Sequence, residues 1–173
     1  EAHIIWTVHD CWLYTGHCYH YSFAGCDKWK THCDNCPQRK EFPTSWFTDR
    51  SRKNFSDKMA AFTSIPKERM TIVPVSEWIK GEMKHSFLKD ANFQVIHNGI
   101  NLDNFQICEA ESIRAKYGLG DRHIILGVAS IWMEEKGWDD FMQMAAQLSP
   151  DEVIVLVGGT EEQKKMLPAH IIG

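Results

Sequence analysis

The sequence lacks several features that define large classes of protein. No apolar run approaches the roughly 18 residues that span a bilayer, and the first residues have neither the charged nor the apolar segment of a signal peptide. Basic residues are not in surplus, since 19 Lys and Arg stand against 23 Asp and Glu, for a net charge of −4. No internal repeat or low-complexity tract is visible. These absences predict a cytoplasmic protein that does not bind nucleic acid by neutralising its phosphates.

The composition is that of an ordinary globular protein, but the cysteines form an unusual cluster. The 173 residues include 43% hydrophobic positions, enough for a core of one or two domains. A chain of this length needs no disulfide scaffold, so clustered cysteines in a reducing compartment indicate a metal. Cys108 is isolated, but the stretch GHCYHYSFAGCDKWKTHCDNCP holds four cysteines: Cys18, Cys26, Cys33 and Cys36.

The spacing of these cysteines favours a structural zinc site. Cys33 and Cys36 are separated by two residues, the gap that lets two thiolates share one tetrahedral ion, and Cys18 and Cys26 complete a set of four. Pro37 follows at once, which does not favour a thioredoxin-like redox motif. A closed site with four protein ligands is structural rather than catalytic. The outer spacings match no standard zinc ribbon, so other ligands remain open: Cys11, His17, His20 and His32.

Apolar periodicity predicts alternating strands and helices. β-prone apolar runs predict strands over 4–8, 70–75, 93–100, 123–130 and 152–159, with a final short strand after Pro168. Helices are predicted over 49–62, 77–87, 113–117 and 138–148. This alternation predicts an α/β fold with parallel sheets.

Local signals refine the predicted helices. The first helix should bury Phe55, Met59 and Phe62, and the second should bury Ile79, Met83 and Phe87. Ser76 is the predicted N-cap of the second helix, and Thr160 with Gln163 forms a predicted capping box.

The pattern divides into two parts. Residues 1–105 form one predicted domain that includes a cysteine-rich loop at 11–47, residues 106–122 form a hinge, and residues 123–173 begin a second domain. The chain opens without Met inside a β-branched run and stops at a new strand. We therefore expect these residues to be a piece of a larger protein.

A series of motifs resembles family 4 glycosyltransferases of the GT-B fold, especially bacterial members of the colanic-acid type. The motifs, in family order, are WTVHD, VSEWIKGEMKHSF, VIHNGINLDNF, HIILGVAS, EEKGWDDFMQMA and VIVLVGG. The resemblance implies two Rossmann-like domains across a cleft, with the acceptor mainly on the first and a UDP- or GDP-sugar mainly on the second. It also implies a glycan or lipid-linked acceptor, a retained anomeric configuration and peripheral association with the inner face of the plasma membrane.

In the first domain the resemblance implies a site at the strand ends. His9 matches a histidine that orients the reacting centre, and Asp10 would orient His9 or serve the cysteine-rich loop. Asn98 and Gly99 match the turn that closes this domain against the hinge. From the residues alone, His9 could simply cap backbone carbonyls, and a tight turn explains the Asn-Gly pair without a ligand.

In the second domain the resemblance implies a phosphate site. Lys136, followed by Gly137, is the candidate for meeting the negative charge that grows on the diphosphate leaving group. Gly127 and Gly158 let backbone approach a nucleotide, or equally let a helix pack closely on a strand.

The sequence departs from the family near this lysine. Ile131 stands where relatives carry a second cationic clamp, and Glu134 and Glu135 would repel a diphosphate unless they point away. The chain also lacks the family's N-terminal glycine-rich loop and its C-terminal acidic motif. We expect little or no transferase activity from these 173 residues alone.

A second hypothesis from another class is a non-enzymatic zinc-binding interaction module. In it, the cysteine-rich loop and the aromatic side chains of Trp29, Trp46 and Phe47 would contact a partner protein, although such aromatics also serve as the small core around a metal. An acidic pair about two helical turns apart in sequence beyond residue 173 would favour the enzyme.

Overall fold

The computed structural model describes residues 2–173 and shows two compact α/β units. The first unit ends at Asn101 and the second runs from Leu102 to Gly173. Each unit contains one parallel three-stranded sheet, which confirms the predicted fold class at this level. The segment predicted as a hinge, 106–122, lies within the second unit and contains a short helix, Glu111–Lys116.

The sheet of the first unit is built from three parallel strands. In spatial order they are β1 (Ile4–Val8), β2 (Met70–Pro74) and β3 (Asn92–Phe93). β3 is shorter than predicted, but its pairing with β2 continues: Gln94 N donates to Ile72 O at 3.0 Å, and Ile96 N to Pro74 O at 3.2 Å. The carboxyl ends of the strands therefore lie at one edge of the sheet.

The first helix, α1 (Ser51–Thr63), buries only part of the predicted face. Phe55 is buried and Phe62 is half-buried as expected, but Met59 is 37% exposed, so its prediction as a buried residue is wrong. Ser51 and Lys58 are buried instead. The reason is that the cysteine-rich loop packs on this side of α1 and offers backbone carbonyls that a lysine can satisfy and a methionine cannot.

Lys58 joins α1 to the loop. Its ammonium donates to Trp12 O at 2.6 Å and to Thr15 O at 2.9 Å, and it lies 3.3 Å from the centroid of the Trp12 ring. Burial lowers the pKa of Lys58 to about 8. The buried amine is retained because two otherwise unpaired carbonyls accept from it.

The second helix, α2 (Glu77–Met83), begins as predicted and ends early. Ile79 N donates to the Ser76 side chain at 3.2 Å, which confirms the N-cap. Ile79 and Met83 are buried as predicted. The helix stops before 87 because the Ser86 hydroxyl donates to Met83 O at 2.7 Å and accepts from Leu88 N, which replaces helical bonds by a turn.

The cysteine-rich loop, residues 11–47, supplies much of the core of the first unit. It contains two single 3₁₀ turns, Trp12–Tyr14 and Lys28–Lys30, and no β-strand. Its buried side chains pack with those of β2 and α2, and they are Cys11, Leu13, Tyr14, Cys18, Tyr21 and Trp29. Trp29 is thus not available to contact a partner, whereas Trp46 is 80% and Phe47 94% exposed.

The second unit repeats the strand–helix alternation. Its sheet has the order β4 (His123–Val128), β5 (Glu152–Val157) and β6 (Ile171–Ile172), all parallel. The helices are α3 (Glu111–Lys116), α4 (Trp138–Ala145) and α5 (Glu161–Lys165). α3 is the helix within the segment predicted as a hinge, and α4 ends three residues before its predicted end. Both bonds of the Thr160–Gln163 capping box are present, as predicted.

None of the helices within residues 2–173 is long and apolar enough to cross a membrane.

We predict that replacing Lys58 by Met lowers the free energy of unfolding by about 2–4 kcal/mol, because the buried carbonyl of Thr15 and the partly buried carbonyl of Trp12 lose their donor. The matched control is Lys53→Met on the same helix, which removes an exposed ion pair to Asp57 and should cost less than about 0.5 kcal/mol. Urea denaturation measures both values. Equal losses in the two variants would show that Lys58 does not anchor the loop.

Candidate functional site

His9 and Asp10 lie at the carboxyl edge of the first sheet, directly after β1. Both residues are exposed. Asp10 Oδ1 accepts from Trp12 N at 2.8 Å, so this carboxylate holds the first turn of the cysteine-rich loop. The His9 ring makes no hydrogen bond with residues 2–173 and is open to a ligand at this edge. The sequence left two roles open for Asp10, to orient His9 or to serve the cysteine-rich loop. The structure shows its contact with the loop.

Asn98 and Gly99 follow β3 at the same edge, but the predicted Asn-Gly turn at this position is wrong. The backbone is irregular through 94–101 without a turn, and the chain turns only at 102–104. Gly99 does not have a left-handed φ, and a side chain there would meet no atom within 4 Å. The ladder bonds to β2 carry on past β3 as far as Ile96, and the residues after it have no regular structure.

His97 belongs to this edge and was not singled out from the sequence. Its Nδ1 lies 2.9 Å from Val75 O, so the ring ties the segment after β3 to the segment after β2. In the sequence, only its position next to Asn98 indicated that His97 belongs to this edge. His9 and His97 thus follow two different strands of one parallel sheet.

Lys136 and Gly137 lie in the corresponding loop of the second unit, between β4 and α4. A 3₁₀ turn, Glu134–Lys136, ends at Gly137, whose φ of 78° lets the chain reverse into the first turn of α4. The Lys136 side chain is exposed and has no salt-bridge partner within residues 2–173. It is therefore free to meet an anion.

The charges around Lys136 oppose that role. Four exposed carboxylates lie within four residues of it along the chain, those of Glu134, Glu135, Asp139 and Asp140, so one positive and four negative charges give a local net charge of −3. An anion at this lysine would be repelled at long range, and the repulsion would weaken as salt screens it.

Gly158 and Gly159 join the loop after β5 to the loop after β4. Both have left-handed φ values, 89° and 98°. A side chain on Gly158 would collide with the carbonyl oxygen of Ala129, and Gly159 N donates to Ser130 O at 3.2 Å. The two loops are therefore in backbone contact at the carboxyl edge of the second sheet.

Gly127 lies inside β4, and neighbouring side chains surround it. A Cβ there would approach atoms of Trp132, Leu156 and Phe141 to within 2.7–2.8 Å. Close packing alone therefore requires glycine at this position. Contact of Gly127 with a nucleotide stays a prediction.

Trp132 holds the loop after β4 and was missed as a structural residue. Its indole is 4% exposed and packs edge-to-face on Phe141 with 5.3 Å between ring centroids. Its carbonyl accepts from Gln163 Nε2 at 2.6 Å, which connects this loop to α5. In the sequence, the position of this tryptophan between a predicted strand and a predicted helix was the feature that indicated a structural role.

The four predicted zinc ligands line one cavity in the cysteine-rich loop. Cys18, Cys26, Cys33 and Cys36 surround a space of about 10 Å³. Cys18 donates a hydrogen bond to Cys36, which lowers the pKa of Cys36 to about 7 and raises the pKa of Cys18. Among residues 2–173, no group of three or more His, Cys, Asp or Glu side chains already has the arrangement of a metal site.

The chain is similar to one curated glycosyltransferase over part of its length. It is 27% identical over 103 residues to an Escherichia coli (strain K12) protein that is provisionally named colanic acid biosynthesis glycosyl transferase WcaC. The match covers 59% of this chain and 24% of that protein. No protein-family profile and no solved structure matches the chain. The similarity supports a relationship to glycosyltransferases.

We predict that Gly158→Ala destabilises the second unit by about 2–4 kcal/mol, because the new methyl group combines a left-handed φ with a collision on Ala129. Gly99→Ala is the matched control and should change stability by no more than about 0.5 kcal/mol, since the position is open and unstrained. Thermal and urea unfolding measure both. A mild effect at Gly158 would contradict the described contact between the two loops.

Proposed function

We propose that this chain belongs to a retaining family 4 glycosyltransferase of the GT-B fold, which acts in bacterial polysaccharide biosynthesis. The donor would be a UDP- or GDP-sugar, and the acceptor a glycan or a lipid-linked glycan. The observation that carries the proposal is the similarity to a glycosyltransferase of colanic acid biosynthesis. The two parallel sheets are compatible with parts of two Rossmann-like domains.

The donor diphosphate is proposed to lie at the carboxyl edge of the second sheet. Ligands of open parallel sheets bind at this edge, and here it carries the Lys136–Gly137 turn and the Gly158 loop. Gly137 also opens α4, whose first backbone N–H groups carry partial positive charge. Lys136 would stabilise the charge that develops on the leaving diphosphate as the sugar–phosphate bond breaks.

The reacting sugar is proposed to meet His9. This exposed ring lies past the end of β1, where it can donate or accept one hydrogen bond and so orient the donor sugar. Asp10 acts indirectly, because it holds the loop that follows. Asn98 and Gly99 share the edge with His9 and are proposed to contact substrate through backbone groups.

An aromatic and basic surface supports an acceptor at a membrane. Phe42 is 75% exposed, Trp46 80% and Phe47 94%, and Arg39 and Lys40 precede them. Aromatic side chains beside basic ones suit the interface of an anionic bilayer. We propose that the enzyme acts in the cytoplasm at the inner face of the plasma membrane, through this surface. The same exposed aromatics are the observation that favours the interaction-module alternative.

We predict that the chain binds UDP or GDP through Lys136, measured by titration calorimetry at low salt. Lys136→Ala should weaken binding at least about fivefold, because a charge-assisted contact is lost. Glu135→Gln should strengthen binding, since a repulsive charge is removed. Lys165→Ala, an exposed lysine at the end of α5, is the control and should bind like the wild type. No binding of either nucleotide, or no change in both variants, would refute this donor site.

We predict that the complete gene product transfers sugar with retention of anomeric configuration, read from the anomeric proton coupling of the product by NMR. His9→Ala should lower kcat about 10- to 100-fold with little change in the donor KM, because the side chain orients the reacting centre. His85→Ala, an exposed histidine after α2, should leave both constants unchanged. An inverted product would exclude the retaining class, and unchanged kcat in His9→Ala would remove His9 from the site.

A further inference from the structure

The cysteine cavity of the first unit has the composition of a structural metal site. The residues that line it are distant in sequence and run from His17 in the cysteine-rich loop to Ser51, the first residue of α1. A space of about 10 Å³ is near the smallest that holds a single small particle such as one water. Four thiols face this space, and no two of them form a disulfide.

The structure narrows the ligand candidates that the sequence left open. His32 Nε2 lies 3.0 Å from Ser56 Oγ on α1, and His20 stacks on Trp78 with 5.9 Å between ring centroids. Neither histidine lines the cavity, and neither does the buried Cys11. His17 is the one alternative that does line it, and its buried Nε2 has no partner within residues 2–173.

A backbone donor is already aimed at one of the sulfurs. Gly16 N donates to Cys33 Sγ at 3.2 Å. Such an N–H group stabilises the thiolate form that binds metal. Gly16 can approach only because it has no side chain: a Cβ there would lie 2.7 Å from Cys33 Cβ and would collide with Ser51 O.

The turn between Cys33 and Cys36 is held in shape from outside the cavity. Asn35 takes a left-handed φ of 43°, and Lys28 Nζ donates to Asp34 O at 3.1 Å. Asp49 bridges the turn to α1, since its carboxylate accepts from Cys36 N and from Ser51 N, each at 2.8 Å. The two cysteines are therefore fixed before any ion binds.

A buried cation would offset part of the charge of a metal complex. Four thiols that bind one Zn²⁺ release four protons and leave a complex of net charge −2. The buried Lys58 interacts electrostatically with Cys33 and Cys18. Lys28 and Asp34 both line the cavity and form an ion pair at 3.3 Å, so together they add no net charge.

We propose that Cys18, Cys26, Cys33 and Cys36 bind one structural zinc ion that fastens the cysteine-rich loop to α1. The ion takes the place of the four thiol protons and draws the four sulfurs to about 2.3 Å from itself. All four positions around zinc are taken by protein, so the ion does no chemistry on substrate. This inference is independent of the proposed transferase activity.

The first test uses the unmodified chain, purified without chelator from zinc-supplemented cells. Metal analysis should give about one zinc per chain. Alkylation of the native protein, read by peptide mass spectrometry, should label Cys108 at once and should label the four cavity cysteines only after a chelator removes the zinc. Zinc content near zero, or equal labelling with and without chelator, would overturn the proposal.

The second test identifies the ligands. Cys33→Ser, Cys36→Ser and Cys26→Ser should each lose zinc and the thiolate-to-cobalt charge-transfer absorption of the cobalt-substituted protein. Cys108→Ser, at an exposed position in the other unit, is the matched control and should keep both. His17→Gln should also keep both. If His17→Gln loses the metal while Cys26→Ser keeps it, the four-cysteine ligand set is wrong. Where a variant fails to fold, cobalt titration of the wild-type chain still tests metal binding through the thiolate-to-cobalt absorption.

Discussion

The first unit depends on one buried amine that joins two parts of the chain distant in sequence. Lys58 extends from α1 to two carbonyls of the cysteine-rich loop, and without that contact the loop would leave backbone acceptors buried and unpaired. The loop supplies a large share of the core around Trp29 and Tyr14, so its attachment contributes to the covering of the three-stranded sheet. The cysteine cavity lies in the same loop and is proposed to add a second fastening.

In the second unit, close packing at glycines supports the loops at the carboxyl edge of the sheet, together with the bond from Gln163 Nε2 to Trp132 O. Gly127 admits Trp132 and Phe141 against β4, and Gly158 lets the loop after β5 contact the loop after β4. These contacts shape the edge at which parallel sheets bind ligands, and Lys136 lies in one of the two loops that form it. The proposed donor site therefore depends on positions that have no functional side chain of their own.

Much of the fold could be predicted from the sequence because the strongest signals are local. The β-branched runs at β4 and β5 mark strands whatever surrounds them, and Ser76 and Thr160 cap the helices that follow them within three residues. The misses have distant causes. Met59 is exposed because the cysteine-rich loop packs on the face of α1 that carries Lys58. The segment before Asn98 and Gly99 pairs with β2 up to Ile96, a distant contact that the local Asn-Gly signal does not contain.

The sequence by itself determined the parallel α/β class, the positions of the strands and the two-residue gap between Cys33 and Cys36. Each of these depends on neighbours within a few residues. Only the tertiary structure decided that His32 and His20 lie outside the cysteine cavity while His17 lines it, and that Trp29 is a core residue. These outcomes depend on how a loop without regular structure folds against α1 and α2. Local hydrogen bonds shape its turns, but the bonds that place the loop on α1, from Lys58 to Trp12 O and between His32 and Ser56, join residues 46 and 24 positions apart, which no local pattern encodes.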